Sequence, residues 1–131
     1  MSCSNHAQPV SPELEALVTD IIAQVADKWT MQILEVLEEH GTVRFTRLGR
    51  HIGGISQKML TKTLRQMERE GLVSRTIHPV VPPHVDYALT PLGSTLSEAF
   101  CGVWTWAAAY HRQIEAARQA FDQQPAHHKT L

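Results

Sequence analysis

Apolar residues recur three and four positions apart in five stretches of the chain and alternate in one more, so the pattern predicts a mostly α protein with a small β element. Leu14, Leu17, Val18, Ile21, Ile22 and Val25 mark one helical face, opened by Ser11 as a capping hydroxyl and Pro12 at the first helical position. Asp27 is placed to cap a second helix with Trp29, Ile33, Val36 and Leu37 inward and Glu35, Glu38 and Glu39 outward, until Gly41 stops it. Val43 to Phe45 fits a very short strand, and Thr46 is expected to cap a two-turn helix with Phe45, Leu48 and Ile52 inward. After the Gly53-Gly54 turn, Ser56 caps a helix whose buried stripe is Leu60, Leu64 and Met67, helped by Met59, and Gly71 closes it.

Leu72 to His78 reads as a strand, Pro79, Pro82 and Pro83 stiffen a loop, and from His84 the residues Val85, Tyr87 and Leu89 alternate with polar or small ones. The two strands form a hairpin. Thr90-Pro91 repeats the cap-plus-proline signal and opens a long helix striped by Leu92, Leu96, Ala99, Phe100, Val103, Ala107, Tyr110 and Ile114, widened by Trp104 and Trp106. That stripe is broader than packing against one small domain needs. The expected organisation is an arm over 1–10, a single domain over 11–122 including both terminal helices, and a disordered tail over 123–131.

The net charge of −1 looks unpromising for a polyanion partner. The average conceals a segregation, however. Residues 1–40 hold seven carboxylates against Lys28, a net of −6, while residues 41–76 hold eight Arg and Lys against Glu68 and Glu70, a net of +6. The positive segment surrounds the helix that starts after Ser56, whose outer side carries Gln57, Lys58, Thr61, Lys62, Arg65 and Arg69. This is the footprint of a surface that neutralises phosphates. Helix, helix, short helix, turn, basic helix, two-stranded wing and long helix, taken with these charges, indicate an α+β winged helix-turn-helix. Other classes find little support: no nucleophile-base-orienter set, no phosphate loop and no spacing of His and Cys suited to a metal, so neither enzyme activity nor metal nor cofactor is expected. Without a basic-then-apolar leader or an apolar run approaching the ~20 residues of a membrane span, the chain is expected in the cytoplasm, away from membranes.

Several motifs occur together and in order: DKWTMQIL at 27–34, RFTRL at 44–48, GISQKMLTKTLRQMEREGLVSRT at 54–76 and VPPHVDYALTPLG at 81–93. Together they resemble the HxlR-type transcription regulators, related to the MarR-like winged-helix proteins. The resemblance covers about half the chain and implies a bacterial, homodimeric DNA-binding regulator paired through its first and last helices. Many such proteins sense oxidants through a Cys-Pro pair ahead of the first helix, but here that place reads Ser11-Pro12. Cys3, farther upstream, is left as the candidate redox sensor, and Cys101 is expected to be a small buried apolar residue.

Candidate contacts with double-stranded DNA follow from this layout. Gln57, Lys58, Thr61 and Lys62 suit base edges in the major groove; Ser56, at the helix N-terminus, and Arg65 suit phosphates. Arg44, Thr46 and Arg47 stand where backbone phosphates would lie, balanced against plain solvation of the surface. His78 and His84 flank the wing prolines and suit a minor groove or phosphate, and Arg75 serves equally as a phosphate contact or a salt bridge. Trp104 and Trp106 suit interface or core packing better than a pocket for a small-molecule effector. The rival reading is a winged-helix adaptor between proteins, without sequence-specific DNA binding.

Overall fold

The computed structural model describes residues 11–124, so Cys3 lies outside the described residues. Five helices and three strands follow in the order α1 (Pro12–Val25), α2 (Lys28–His40), β1 (Val43–Arg44), α3 (Phe45–His51), α4 (Gln57–Arg69), β2 (Val73–His78), β3 (His84–Leu89) and α5 (Pro91–Asp122). The chain divides into two compact units between Ser97 and Glu98.

In the first unit the caps fall where the local chemistry supplies them. Ser11 Oγ accepts from the Leu14 amide at 3.1 Å and Asp27 Oδ1 from the Trp29 amide at 2.8 Å, each satisfying an amide that the first helical turn leaves unpaired. Gly41 ends α2 at φ 77°, a backbone angle that a side chain disfavours. Thr46 does not cap α3: the cap position falls two residues earlier, at Arg44, which makes no side-chain cap bond. The reason is the sheet. Val43 and Arg44 pair with Tyr87 and Asp86 of β3, which fixes the backbone up to Arg44 and starts the helix directly after it.

The wing is accordingly one edge of a three-stranded antiparallel sheet in the order β1-β3-β2, rather than a free two-stranded hairpin. β2 and β3 pair from Val73↔Leu89 to His78↔His84. Tyr87 is the buried centre of β3, with Val43 beside it on β1 and both nearly inaccessible. The core joins Ile33, Leu34 and Leu37 of α2, Leu48 of α3, Ile52 after it, and Leu60, Leu64 and Met67 of α4. Met59 is not part of that stripe; it is exposed, and the buried place one turn on belongs to Thr63, whose hydroxyl donates to the Met59 carbonyl at 2.9 Å.

α1 lies largely outside this core. Val25 is buried and Gln66 of α4 donates its amide to Gln24, but Leu14, Leu17, Val18 and Ile22 are all exposed. The second unit, from Glu98 onward, is the remainder of α5, with non-helical backbone angles at Tyr110 interrupting the continuous helix that the stripe predicts. Val103, Trp104, Trp106 and Tyr110 are exposed. Cys101 is exposed as well, as a free thiol, contrary to the buried role expected from its neighbour Phe100.

Candidate nucleic-acid interface

The turn before α4 takes φ 84° at Gly54, which a residue with a side chain would resist. Ser56 then caps the helix, its Oγ accepting from the Met59 amide at 3.0 Å. At the far end Gly71 has φ 78°, its amide bonded to the Glu68 carbonyl, and the Leu72 amide returns to the Met67 carbonyl at 2.9 Å. This paired closure is a Schellman motif, and it satisfies two carbonyls that the helix end would leave open. α4 is thus pinned at both ends, and its apolar stripe packs against α2 and β2.

With Leu60, Leu64 and Met67 inward, helical geometry sends Lys58, Thr61, Lys62 and Arg65 to one outer face, three and four residues apart. Together with Gln57 and Arg69 they are exposed, and they line an open concave surface. The charges along this face are not equivalent. At the C-terminal end Arg69 Nη1 lies 3.0 Å from Glu70 Oε2, and Arg75 Nε on β2 lies 3.5 Å from Glu68 Oε1. Among the described residues Lys58, Lys62 and Arg65 have no carboxylate partner. The uncompensated positive charge is therefore concentrated in the first half of α4 and the turn after it. Of the two roles open to Arg75, the geometry realises the ion pair.

Arg44, Thr46 and Arg47 are exposed at the end of β1 and in the first turn of α3, and neither arginine pairs with a carboxylate among the described residues. On the wing His78 and His84 are half-buried and stacked, ring centroids 4.6 Å apart. His78 Nε2 is 3.0 Å from Asp86 Oδ2, so His78 on β2 is tied across the hairpin to β3 as well as facing solvent. The loop between them exposes Val80 and Val81, the latter almost completely.

Tyr87, behind this surface, has its phenol pushed above the ordinary range by burial; nearby Arg75 opposes the effect, Glu68 adds to it and Arg65 opposes it. It stays a neutral wall under the charged face. Asp86, Glu68 and Gly93 are the residues that sequence reasoning did not assign to this region. Asp86 was visible only as the polar member of an alternating strand, and its partner His78 becomes evident once the hairpin register is known.

A cluster of cations on a capped helix beside a sheet wing suits a polyanion, and comparisons with known proteins give the family to which such a fold belongs. The family model described as HxlR-like helix-turn-helix matches residues 24–115. The chain belongs to this family. Its HxlR-like relatives include the uncharacterized HTH-type transcriptional regulator YtfH of Escherichia coli K12, 45% identical over 87 residues that make up 66% of this chain and 68% of that protein. Among solved structures, the ytfH regulator of Salmonella typhimurium is similar at a TM-score of 0.71 and 36% identity, over 85% of this chain and 99% of that one. The reduced form of the transcriptional regulator YodB of B. subtilis is similar at a TM-score of 0.61 and 31% identity, over 76% and 92%. This HxlR-like chain is a winged helix-turn-helix transcriptional regulator. Among its described residues no helix is long and apolar enough to cross a membrane.

Proposed function

We propose that the protein acts as a homodimer on a pseudo-palindromic operator, setting two copies of α4 into successive major grooves about 34–36 Å apart. The observation that carries this reading is the uncompensated basic face of Lys58, Lys62 and Arg65, on a helix fixed by Ser56 and Gly71. Gln57, Lys58, Thr61 and Lys62 reach base edges, with lysine suited to guanine and glutamine to adenine. Arg65, Arg44, Thr46 and Arg47 hold phosphates, and Ser56 offers one the helix N-terminus. His78 and His84 bring the wing alongside. Arg75, occupied by Glu68, is a secondary contact.

Dimerisation is supported by the unpartnered apolar face of α1, where Leu17 is 53% and Ile22 57% exposed, and by the exposed aromatic stripe of α5. Apolar surface on this scale marks an interaction site. Replacing Leu17 and Ile22 together by Glu should yield a monomer in sedimentation equilibrium, with loss of operator binding; a dimer of unchanged affinity would remove α1 from the interface.

The direct test of DNA recognition selects bound fragments from genomic DNA and measures their affinity at several salt concentrations. Saturable, sequence-selective binding is expected. Lys62→Ala should weaken binding to the selected site and relax its sequence preference, whereas Arg65→Ala should weaken binding to all sites alike and lower the salt slope by about 0.9 for one lost phosphate contact. Binding without selectivity would favour the adaptor reading. Responsiveness is a property suggested by relatives: similar structures include YodB treated with diamide and the redox regulator HypR in reduced and oxidized forms. In this chain the thiols are Cys3 and the exposed Cys101. Diamide treatment followed by gel shift of wild type, Cys3→Ser and Cys101→Ser assigns any response to a thiol, or to neither.

A further inference from the structure

The wing carries a side-chain cluster whose carboxylate, Asp86, DNA binding does not explain. Register places His78 directly across from His84, and Asp86 stands two residues beyond His84 on the same face of β3. One ligand-capable atom from each of the three lies within 4.8 Å of the other two. All three side chains are half-buried, held by a paired sheet on one side and open to solvent on the other. No spacing motif announces this group, because the histidines are brought together by hairpin pairing rather than by one turn of helix.

We propose that His78, His84 and Asp86 form a binding site for a divalent transition-metal ion of the zinc class. Two imidazoles and one carboxylate make a donor set suited to Zn²⁺, which binds nitrogen and carboxylate oxygen at about 2.0–2.2 Å and is satisfied by three protein ligands with a water in the fourth place. Tetrahedral ligands at that bond length stand about 3.4 Å apart. His78 Nε2 and Asp86 Oδ2 are already 3.0 Å apart, and the stacked His84 ring brings its ligand atom within 4.8 Å of both. A hard, oxygen-seeking ion such as Mg²⁺ is a poor match for two imidazoles. Arg44, across from Asp86 in the sheet, makes no ion pair with it, so among the described residues no Arg or Lys competes there for the carboxylate. The bound ion bridges β2 to β3 at the end of the wing where Pro79 to Pro83 connects them, and it brings two positive charges to that end.

His84 separates this proposal from the simple His78–Asp86 contact, because His84 is not a member of that pair. The full-length protein, in a His127→Ala, His128→Ala background that removes competing tail imidazoles, is titrated with Zn²⁺ by calorimetry and with Co²⁺ by visible absorption. One ion per chain is expected, with the intense visible bands of tetrahedral cobalt and a rise in melting temperature on adding Zn²⁺. His84→Ala and Asp86→Asn should each weaken binding at least tenfold and abolish the bands, while circular dichroism of the metal-free variants matches that of the parent. Absence of binding in the parent, or binding of equal affinity in both variants, overturns the proposal. The assay contains no DNA, so its outcome is independent of the operator reading.

Discussion

Replacing Gly93 by Ala tests whether the first turn of α5 is locked onto the end of α4. A Cβ at Gly93 would stand 2.1 Å from the Leu72 carbonyl oxygen, 3.0 Å from its carbon and 3.2 Å from Leu89 Cδ2. Ordinary contact begins at 3.4 Å, so the oxygen is too close by about 1.3 Å. Leu72 cannot simply turn its carbonyl away. That oxygen accepts from the Thr90 amide at 3.0 Å, and the Leu72 amide closes the Schellman motif. Two opposed effects can be weighed. Alanine is a better helix former than glycine by about 0.8–1.0 kcal/mol, which favours the variant. Overpacking against a constrained backbone costs about 3 kcal/mol, the upper part of the usual range, because no flexible side chain can yield. The net is a destabilisation of about 2 kcal/mol, or a fall in Tm of roughly 6–12 °C for a domain of this size. Differential scanning calorimetry at fixed protein concentration measures it, with Gly53→Ala as the control. Gly53 has no positive φ and nothing within 4 Å of a built Cβ, so its variant should melt within about 2 °C of wild type. If Gly93→Ala also melts that close to wild type, the junction between α4 and α5 is not a tight contact.

Ser56→Ala removes the α4 cap and should lower stability by about 1 kcal/mol in urea titration, with an unchanged m-value. Glu68→Gln releases Arg75; an exposed pair contributes at most about 1 kcal/mol, so stability should hardly move, whereas nonspecific DNA affinity measured by fluorescence anisotropy should rise and its salt slope steepen. Tyr87 gives a pH signature. Its folded-state pKa is raised by burial above 10.0, so above that pH the unfolded chain loses a proton that the folded chain keeps, and stability falls as pH rises toward the folded pKa. Melting between pH 9 and 11 should therefore fall less steeply in Tyr87→Phe than in wild type.

Much of this arrangement was legible in the sequence because local chemistry dictates it. Ser11, Asp27, Ser56, Gly41 and Gly71 announce helix ends through bonds to residues a few positions away, and all five act there. The basic face of α4 was legible for the same reason: a 3.6-residue period assigns sides without knowledge of the rest of the fold. The misreadings concern long-range pairing. Thr46 looked like a cap until β1 was seen to join β3, forty residues on, and to hold the chain extended through Arg44. Met59 looked apolar enough for the core, yet the helix phase set by Leu60 and Leu64 turns Thr63 inward in its place. Cys101 was assigned to a core from its neighbour alone, although an apolar stripe also marks a surface that some other chain can cover.

Leu72 connects these observations. Its amide ends α4, its side chain enters the core, and its carbonyl receives Thr90 at the point where Gly93 lets α5 approach most closely. The Thr90 hydroxyl donates to the Gly71 carbonyl and accepts from the Gly93 amide, so cap and clasp are one side chain. A shift in the first turn of α5 acts first on the Thr90 bonds, which hold Gly71 and Leu72 at the end of α4. The end of the basic helix and the start of the long apolar helix therefore share one set of backbone hydrogen bonds.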